Sequence, residues 1–588
     1  MSKIYSILFL LFLLVSCNQE FNMETDDSVK ITSNYNFGNA TQRNFHGLIL
    51  DTNGEPISGA TVVIGGKTSQ TNSEGLFIVK DASVKENFAF VKVTKQGFVN
   101  GSRTIIPTNG SNKINIMMIP VTNTATIASG AASTVSHPNG TKVKFDGSFK
   151  DDTGVPYSGN VNVALFHLKP SDTYLNELMP GSLLASNTAG EAKIMETFGM
   201  LHVQLTGAAG QNLQIEKGHQ AEITMAIDAA QVGSSPATIP LWSFDEITGI
   251  WKEEGSASKV GNSYVGNVSH FSWWNCDVPM NYSQLKLNLK SPDGQPLSNV
   301  KVGLKLPSMS YEIFQTTDNT GMVAGFVPAN ATIELKIYDA CNSVVYSSNI
   351  GPFAAAVTTI LPDIVVSTSS ANIITINGNL KSCSGYDVTN GFVVLSNPNG
   401  SNYFNSVSIV NNGAFTFTNL ACGIGTSMVA TGYDLDAGQN SGEIYFTTTL
   451  PATNLGNIST CTATTEFVNY QIDSQPVQYC ITNFEAVVQN NNLLINHIMG
   501  TTGGQNFFIL EGDNINTAGT YTSGFTIYIT SPNAPITAQG NNLALQINHI
   551  GAAGDYIDFT INGTYLDTTT ATPSTRTINV TGHVKKDN

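Results

Sequence analysis

Nine histidines, 43 acidic residues and seven cysteines are the groups from which chemistry could be assembled. Almost none of them falls into a spacing that a common enzyme class requires. No His-Glu-x-x-His sets two imidazoles and a carboxylate on one helix face, so the common zinc-protease pattern is absent. No Gly-x-Ser-x-Gly elbow and no phosphate-cradling glycine loop occur. A glycosidase needs two carboxylates facing each other across a cleft, and no spacing here picks out such a pair. The run DLDAGQNSGE at 434–443 holds Asp434, Asp436 and Glu443. These oxygens could hold calcium, but the EF-hand spacing is missing and a plain acidic loop is the stronger reading. His497 and His549 sit at matching places in two similar stretches, NNLLINHIMGTTGGQNFFI (491–509) and NNLALQINHIGAAGDYIDFTI (541–561). They could be paired ligands, yet a repeated sequence repeats its histidines with no metal involved. We therefore assign no catalytic residue, no metal and no cofactor.

Cys17 is different. It ends an N-terminus that begins with Lys3 and continues as an apolar run from Ile4 to Val15. That run is short for a bilayer-spanning helix and suits a secretion signal. The residues Leu14-Val15-Ser16-Cys17 resemble the bacterial lipobox. The resemblance implies a diacylglycerol on the Cys17 thiol, cleavage before it, and acylation of the new amine with a chain such as palmitate. Each buried methylene contributes about 0.8 kcal/mol, and stable anchoring takes more than one chain. Residues 1–17 are then signal and lipobox, and the polar segment 18–40 is a disordered tether. Glu20, Glu24, Asp26 and Asp27 resemble the acidic signals that send Bacteroidetes lipoproteins to the outer face of the outer membrane. The triplet Asp27-Ser28-Val29 resembles the O-glycosylation pattern of that phylum. The expected location is the outer membrane, lipid-anchored and facing the exterior.

The elements behind these residues read as β throughout. Only 12% of residues are charged, against about 25% in an ordinary soluble protein. The formal net charge is −16 without a basic run, which argues against nucleic acid as a partner. No second apolar stretch is long enough for a membrane helix. Helical periodicity is nearly absent. Alternating runs such as FAFVKVTKQGF (88–98), IELKIYD (333–339) and AFTFTNL (414–420) stand between turn clusters. The expected fold class is all-β: tandem immunoglobulin-like β-sandwich domains, with a larger β-domain inserted between repeats and a C-terminal β-module.

A repeat sharpens this. FHGLILDTNGEPISGATVVIGG (45–66), LKLNLKSPDGQPLSNVKVGL (285–304) and ITINGNLKSCSGYDVTNGFVVL (374–395) are each a strand, a turn and a strand. Each is followed by a second turn and an apolar run: TNSEGLFIV (71–79), TDNTGMVAGFV (317–327) and VNNGAFTF (410–417). Gly54, Gly75 and Gly294 suit positive φ, and Pro56 and Pro296 restrict the chain as it re-enters a strand. The pattern, with Thr71, Gly75, Phe77 and the later VTKQGF, resembles the carboxypeptidase regulatory-like domain. That family is a seven-stranded immunoglobulin-like sandwich with no catalytic role. The copies are placed at 41–120, 279–368 and 369–462. Beyond Cys17 the cysteines are Cys276, Cys341, Cys383, Cys422, Cys461 and Cys480, an even number that fits disulfides in an exported chain. If the third copy follows the seven-stranded pattern with alternating strands, Cys383 ends its first strand and Cys461 its seventh. Both then lie at one end of the sandwich, which favours a Cys383–Cys461 bridge.

Residues 121–278 hold all four tryptophans. The marks YSGNVNVAL, MPGSLLA, TFGMLHVQL, IPLWSFDEITGIWKEEG and HFSWWNCD, in that order, resemble an extracellular β-domain of bacterial lipoproteins and, more distantly, of cartilage intermediate layer protein and astroprincin. Trp242 and Trp251 could stack on a sugar, but a sandwich core is the stronger reading. Trp273 and Trp274 are adjacent and point to opposite faces of a strand, so at most one is expected deep in the core. The other is expected at the surface or plugging a domain junction. Residues 463–588 resemble short β-rich modules that end lipoproteins of flavobacteria, and their internal echo reads as two similar hairpins in one small sheet. The whole suggests a stalk of sandwiches: a non-catalytic binding or adhesion scaffold whose partners are the membrane, through lipid, and a glycan or extracellular protein. The alternative is an accessory protein or cryptic hydrolase acting on surface polymers.

Overall fold

The computed structural model describes residues 35–588 apart from 73, 368–371, 397–405, 422–426, 443, 450–451, 462, 465, 474–477, 482–483, 498–507, 530–535, 555, 569–572 and 588. The protein is built from β-strands, with a single short helix, Leu175–Leu178, among the described residues.

The three repeats share one wiring. In the first, Ala40–Asp51 lies between Leu76–Lys85, antiparallel to it, and Ser111–Met118, parallel to it. The facing sheet runs Lys67–Gln70, Thr61–Ile64, Ala89–Thr94, Gly101–Ile105. In the second, Tyr282–Lys290 lies between Met322–Pro328 and the parallel Thr358–Ile360, opposite a sheet centred on Lys301–Lys305 and Ile333–Tyr338. In the third, Asn372–Lys381 lies between Ala414–Ala421 and the parallel Ala452–Ser459, opposite Gly391–Ser396 and Ser427–Asp434. This is an immunoglobulin-like sandwich three times over. Alternation places Phe45, Ile49, Val62, Ile64, Val91 and Ile114 in the first core.

The turn chemistry recurs with it. Gly75 has φ +72°, and a Cβ there would stand 2.4 Å from the Ile49 carbonyl oxygen; Gly321 has φ +79° and the same conflict, at 2.5 Å, with Leu289. Only glycine fits both the left-handed backbone and the close approach. Four residues earlier, buried threonines knit the turn to the sandwich. Thr71 Oγ1 accepts from Ala60 N and donates to Ile57 O, and Thr317 Oγ1 accepts from Val300 N and donates to Leu297 O. The third copy has Ile409 at that place, where the resemblance between copies thins.

The tryptophan-bearing segment between the first two copies is a curled thirteen-stranded sheet, closed by Trp273–Met280. It buries both faces. One covers a core with Val143, Phe149, Leu205, Leu241 and Trp274. The other places Trp242, Trp251 and Trp273 in a core continuous with Leu285, Val302 and Leu335 of the second sandwich. Trp273 and Trp274 do take opposite faces, but each is only 1% exposed. The expectation that at most one of them is deeply buried fails because both faces of this strand are covered, and of the two places expected for the other, the surface and a domain junction, Trp273 takes the junction with the second sandwich.

The C-terminal unit is a two-sheet sandwich around its own core of Ile495, Phe508, Ile527, Leu545, Phe559 and Val580. The echoed strands Asn492–His497 and Asn542–Ile550 lie in different sheets of it, which corrects the single-sheet reading. Each supplies one apolar face, Leu493 and Ile495 against Leu543, Leu545 and Ile547, so the echo builds the two halves of one core.

The first four units are also not strung as a stalk. The first sandwich touches the other three. Its first strand is apolar on both faces, so Leu48 and Leu50 point out of the sandwich. With Leu76 and Met117 they pack on Phe392, Val394 and Tyr433 of the third. Gly110 N donates to Asp318 Oδ2 and Lys113 Nζ to Asn299 Oδ1 of the second. The second and third meet through Ser298 N to Thr418 O and Ala340 N to Leu420 O.

Candidate functional site

Polar and aromatic side chains converge at the junction of the first sandwich, the tryptophan-bearing sheet and the second sandwich. It is built by the segment that carries MPGSLLA. The helix Leu175–Leu178 ends at Met179, and Pro180 and Gly181 then turn the chain under Phe244. Arg103, from an edge strand of the first sandwich, is buried here. Its guanidinium donates to the carbonyls of Asn176 and Gly181. Burial lowers its pKa to about 10, against the pull of Glu177. Burial also raises the Glu177 carboxyl, opposed by Arg103. Ser102 Oγ accepts from Gly181 N at 3.0 Å, and Thr104 Oγ1 donates to Gly249 O at 2.7 Å. Asn176 reaches the second sandwich as well, through Glu312 O and Phe314 N.

A second polar cluster lies under the same junction. Tyr311, from the second sandwich, accepts from Thr197 N through its hydroxyl at 2.9 Å. Thr197 Oγ1 donates to Asn275 Oδ1, and Asn275 Nδ2 donates to Asp277 Oδ2. Asp277 is fully buried, and burial pushes its carboxyl well above the usual range. Burial likewise raises the Tyr311 hydroxyl, helped by the Asp277 charge. One Asp277 oxygen, Oδ1, has no hydrogen-bond partner, and nor does the Trp273 indole N–H. Trp273 packs edge-on to Phe166 at 6.1 Å and beside His202 at 5.1 Å, and acts as the junction plug.

The surface expression of this junction is a narrow seam that does not admit even a water molecule, walled by Phe90, Asn100, Phe244, Glu246 and Trp273. Small-molecule sites span roughly 300–1,000 Å³, and this seam offers none of that room. Asn100 Nδ2 donates to Glu246 Oε2 across it at 2.8 Å, and Lys92 pairs with the same carboxylate at 3.7 Å. The arrangement joins two units and presents no paired free carboxylates.

The residues singled out from sequence fall as follows. Cys17 and the acidic residues after it lie outside the described residues, as do Cys422 and Glu443. Cys383 and Cys461 are joined in a disulfide, with Cα atoms 4.8 Å apart. The parallel pairing of Lys381 with Ser459 brings the two chain ends side by side, two residues short of each cysteine. Cys341 is also disulfide-bonded, and Cys276 is a buried free thiol whose pKa burial raises. Asp434 Oδ1 accepts from the Asp436 and Ala437 amides, which makes it a turn cap. Among the described residues no group of three or more His, Cys, Asp or Glu could hold a metal. His549 is exposed on its strand, and the His497 side chain lies outside what is described. Trp242 and Trp251 are core residues whose indoles donate to Asp277 O and Ser182 O. Sequence reasoning missed Arg103, Thr197 and Tyr311. Arg103, a lone cation in the strand GSRTI, is the one that carried a signal.

Comparison with known proteins gives partial likenesses. No family model matches the chain. Cartilage intermediate layer protein 2 of Homo sapiens is 30% identical over 155 residues, 24% of this chain and 13% of that protein. Cartilage intermediate layer protein 1 of Sus scrofa is 31% identical over 112 residues, 18% of each. The chain therefore spans less than a fifth of each of these relatives. Among solved structures, a streptococcal ancillary pilin is 10% identical, with a TM-score of 0.14, and covers 40% of this chain and 98% of its own. A shaft pilin of Lactobacillus rhamnosus GG is 12% identical, with a TM-score of 0.16, and covers 31% and 99%. These scores are too low to carry an argument about function.

Proposed function

We propose that the protein is a lipid-anchored scaffold of the bacterial cell surface that binds or adheres and has no catalytic role. The three sandwiches, on this reading, are regulatory-like domains serving as framework. The observation that carries the proposal is the construction of the junction. Arg103, Ser102, Thr104 and Gly110 spend their hydrogen bonds on joining units. Phe90, Phe244 and Trp273 fill the space where a substrate cleft would open. Polar groups committed in this way fix geometry and are not left for a reaction. The tether to Cys17 would hold this assembly at the outer membrane, facing outward. The partial likeness to proteins named for a layer of cartilage supports an extracellular, structural setting.

The ligand-binding surface is assigned to residues 463–588, which have their own core and are rich in Asn, Thr and Gly. Amide and hydroxyl surfaces suit wet contacts with glycans or matrix proteins. The test compares cells displaying the full chain with cells displaying residues 1–462, on glycan and matrix-protein arrays. Loss of binding with retained folding of residues 35–461 supports the assignment. Equal binding moves the surface to the four-unit assembly. Fatty-acid labelling of the full chain and of Cys17→Ala checks the anchor, and unchanged labelling of the variant rejects it.

A further inference from the structure

The contact between the first and third sandwiches contains a lysine, an asparagine and an aspartate in reacting order. Lys80 Nζ lies 2.6 Å from Asn390 Oδ1, from residues 310 positions apart in the chain. Asn390 Nδ2 donates in turn to Asp436 Oδ1 at 2.8 Å. Rigid elements hold all three. Lys80 and Asp81 form a bulge opposite Asn44, with Asp81 at φ +52° and its amide donating to Asn44 Oδ1. A bulge re-aims the side chains beside it, and here it delivers Lys80 to the neighbouring sandwich. Asn390 and Asp436 flank adjacent strands, tied by Leu435 N to Asn390 O, and the Asp434 cap fixes the turn that carries Asp436. The apolar contact of Leu48, Leu50 and Tyr433 beside them keeps the sandwiches in register.

Three other lysines meet an asparagine oxygen: Lys113 with Asn299, Lys193 with Asn281, and Lys301 with Asn342. Among the described residues, Asn390 is the one of the four whose amide nitrogen also donates to a carboxylate. That difference matters chemically. An amine reaching a carboxamide does nothing unless a proton can be delivered to the departing nitrogen.

We propose that Lys80 and Asn390 form an intramolecular isopeptide bond, with Asp436 as the proton carrier, covalently joining the first and third sandwiches. The Lys80 ammonium gives up one proton to solvent, and the exposed Asp436 carboxylate beside Asn390 Nδ2 takes one up from solvent. The freed Nζ lone pair attacks Asn390 Cγ, and a Cγ–Nζ bond forms. Asp436 gives its proton to Nδ2, the Cγ–Nδ2 bond breaks, and ammonia leaves, taking the second amine proton as ammonium. Atoms and charge balance without an oxidant, a reductant or a co-reactant. Burial lowers the pKa of the Lys80 amine, opposed by the Asp436 and Asp81 charges, which favours the deprotonated nucleophile.

The test is peptide mapping of the purified full chain after reduction and protease digestion, read by mass spectrometry. A branched peptide containing both Lys80 and Asn390, lighter than the sum of its parts by one ammonia, is the expected result. Lys80→Arg and Asp436→Asn should each lose that peptide and release the two linear ones, with thermal melts showing that both variants are folded. Linear peptides alone from the wild-type chain overturn the proposal, and so does a branched peptide that survives in folded Lys80→Arg. Because the wild-type map decides by itself, a variant that fails to fold leaves the test standing.

Discussion

Cutting the Cys383–Cys461 bridge with the double substitution Cys383→Ala, Cys461→Ala should loosen the third sandwich and little else. The bridge spans 78 positions and ties the ends of the first and last strands, which already run parallel and paired. Its contribution is therefore mainly to the unfolded chain, which loses loop-closure freedom when the link is present. The chain-entropy relation puts that loss at about 4.5 kcal/mol for a loop of this size. Since each 1.4 kcal/mol is a factor of ten in an equilibrium constant, protected amides should exchange about three orders of magnitude faster in the variant. The assay is hydrogen exchange by mass spectrometry on peptides covering Asn372–Lys381 and Ala452–Ser459, where the core residues Ile374, Ile376 and Ile458 report opening of the whole sandwich. Peptides from Ala40–Asp51 and Tyr282–Lys290 are the internal reference and should change far less. An increase of less than about tenfold in the third sandwich would refute the loop-entropy reasoning. It would mean that docking against the first sandwich already confines the opened chain.

Arg103→Met should leave the Asn176 and Gly181 carbonyls and the Glu177 carboxyl without their cation, at a cost of about 3 kcal/mol. Faster proteolysis at 175–183, with the sandwich cores intact, is the readout. Thr71→Val and Thr317→Val each remove a hydroxyl that accepts one buried amide proton and donates to one carbonyl. Each should cost about 1–3 kcal/mol, measured by urea denaturation and local exchange in its own sandwich. Acid should destabilise the assembly through its buried histidines. Burial lowers His46 to about 3, and His167 and His202 to about 4. Their folded values lie below the ordinary 6.5, so the stability held by the neutral rings is complete above about 6.5 and is lost as pH falls toward about 4, at about 1.4 kcal/mol per pH unit for each ring. Melting temperature followed across that range should drop, and His46→Gln with His202→Gln should flatten the drop. A flat wild-type profile would contradict the burial argument.

The amino-acid sequence by itself determines the local structure here, because what decides it lies within a few residues. Alternation in FAFVKVT, the turn chemistry of DTNGEP and SPDGQP, and the glycines at 75 and 321 are sufficient to specify strands, turns and the sandwich repeat. The Cys383–Cys461 pair could be read at that level as well, since it follows from how the repeat is wired. What the units do to one another is decided by tertiary structure alone. The doubly apolar strand HGLILD contains the hint, because a strand in one sandwich needs a single apolar face. It does not say which surface covers Leu48 and Leu50. Trp273 and Trp274 are both buried for the same reason: each face of their strand meets a different core, and only one of those cores belongs to their own sheet. Arg103 beside Asn176, Tyr311 beside Thr197, and Lys80 beside Asn390 are meetings between distant parts of the chain. Their positions depend on how whole surfaces fit together, a sum over many weak contacts that no local spacing records.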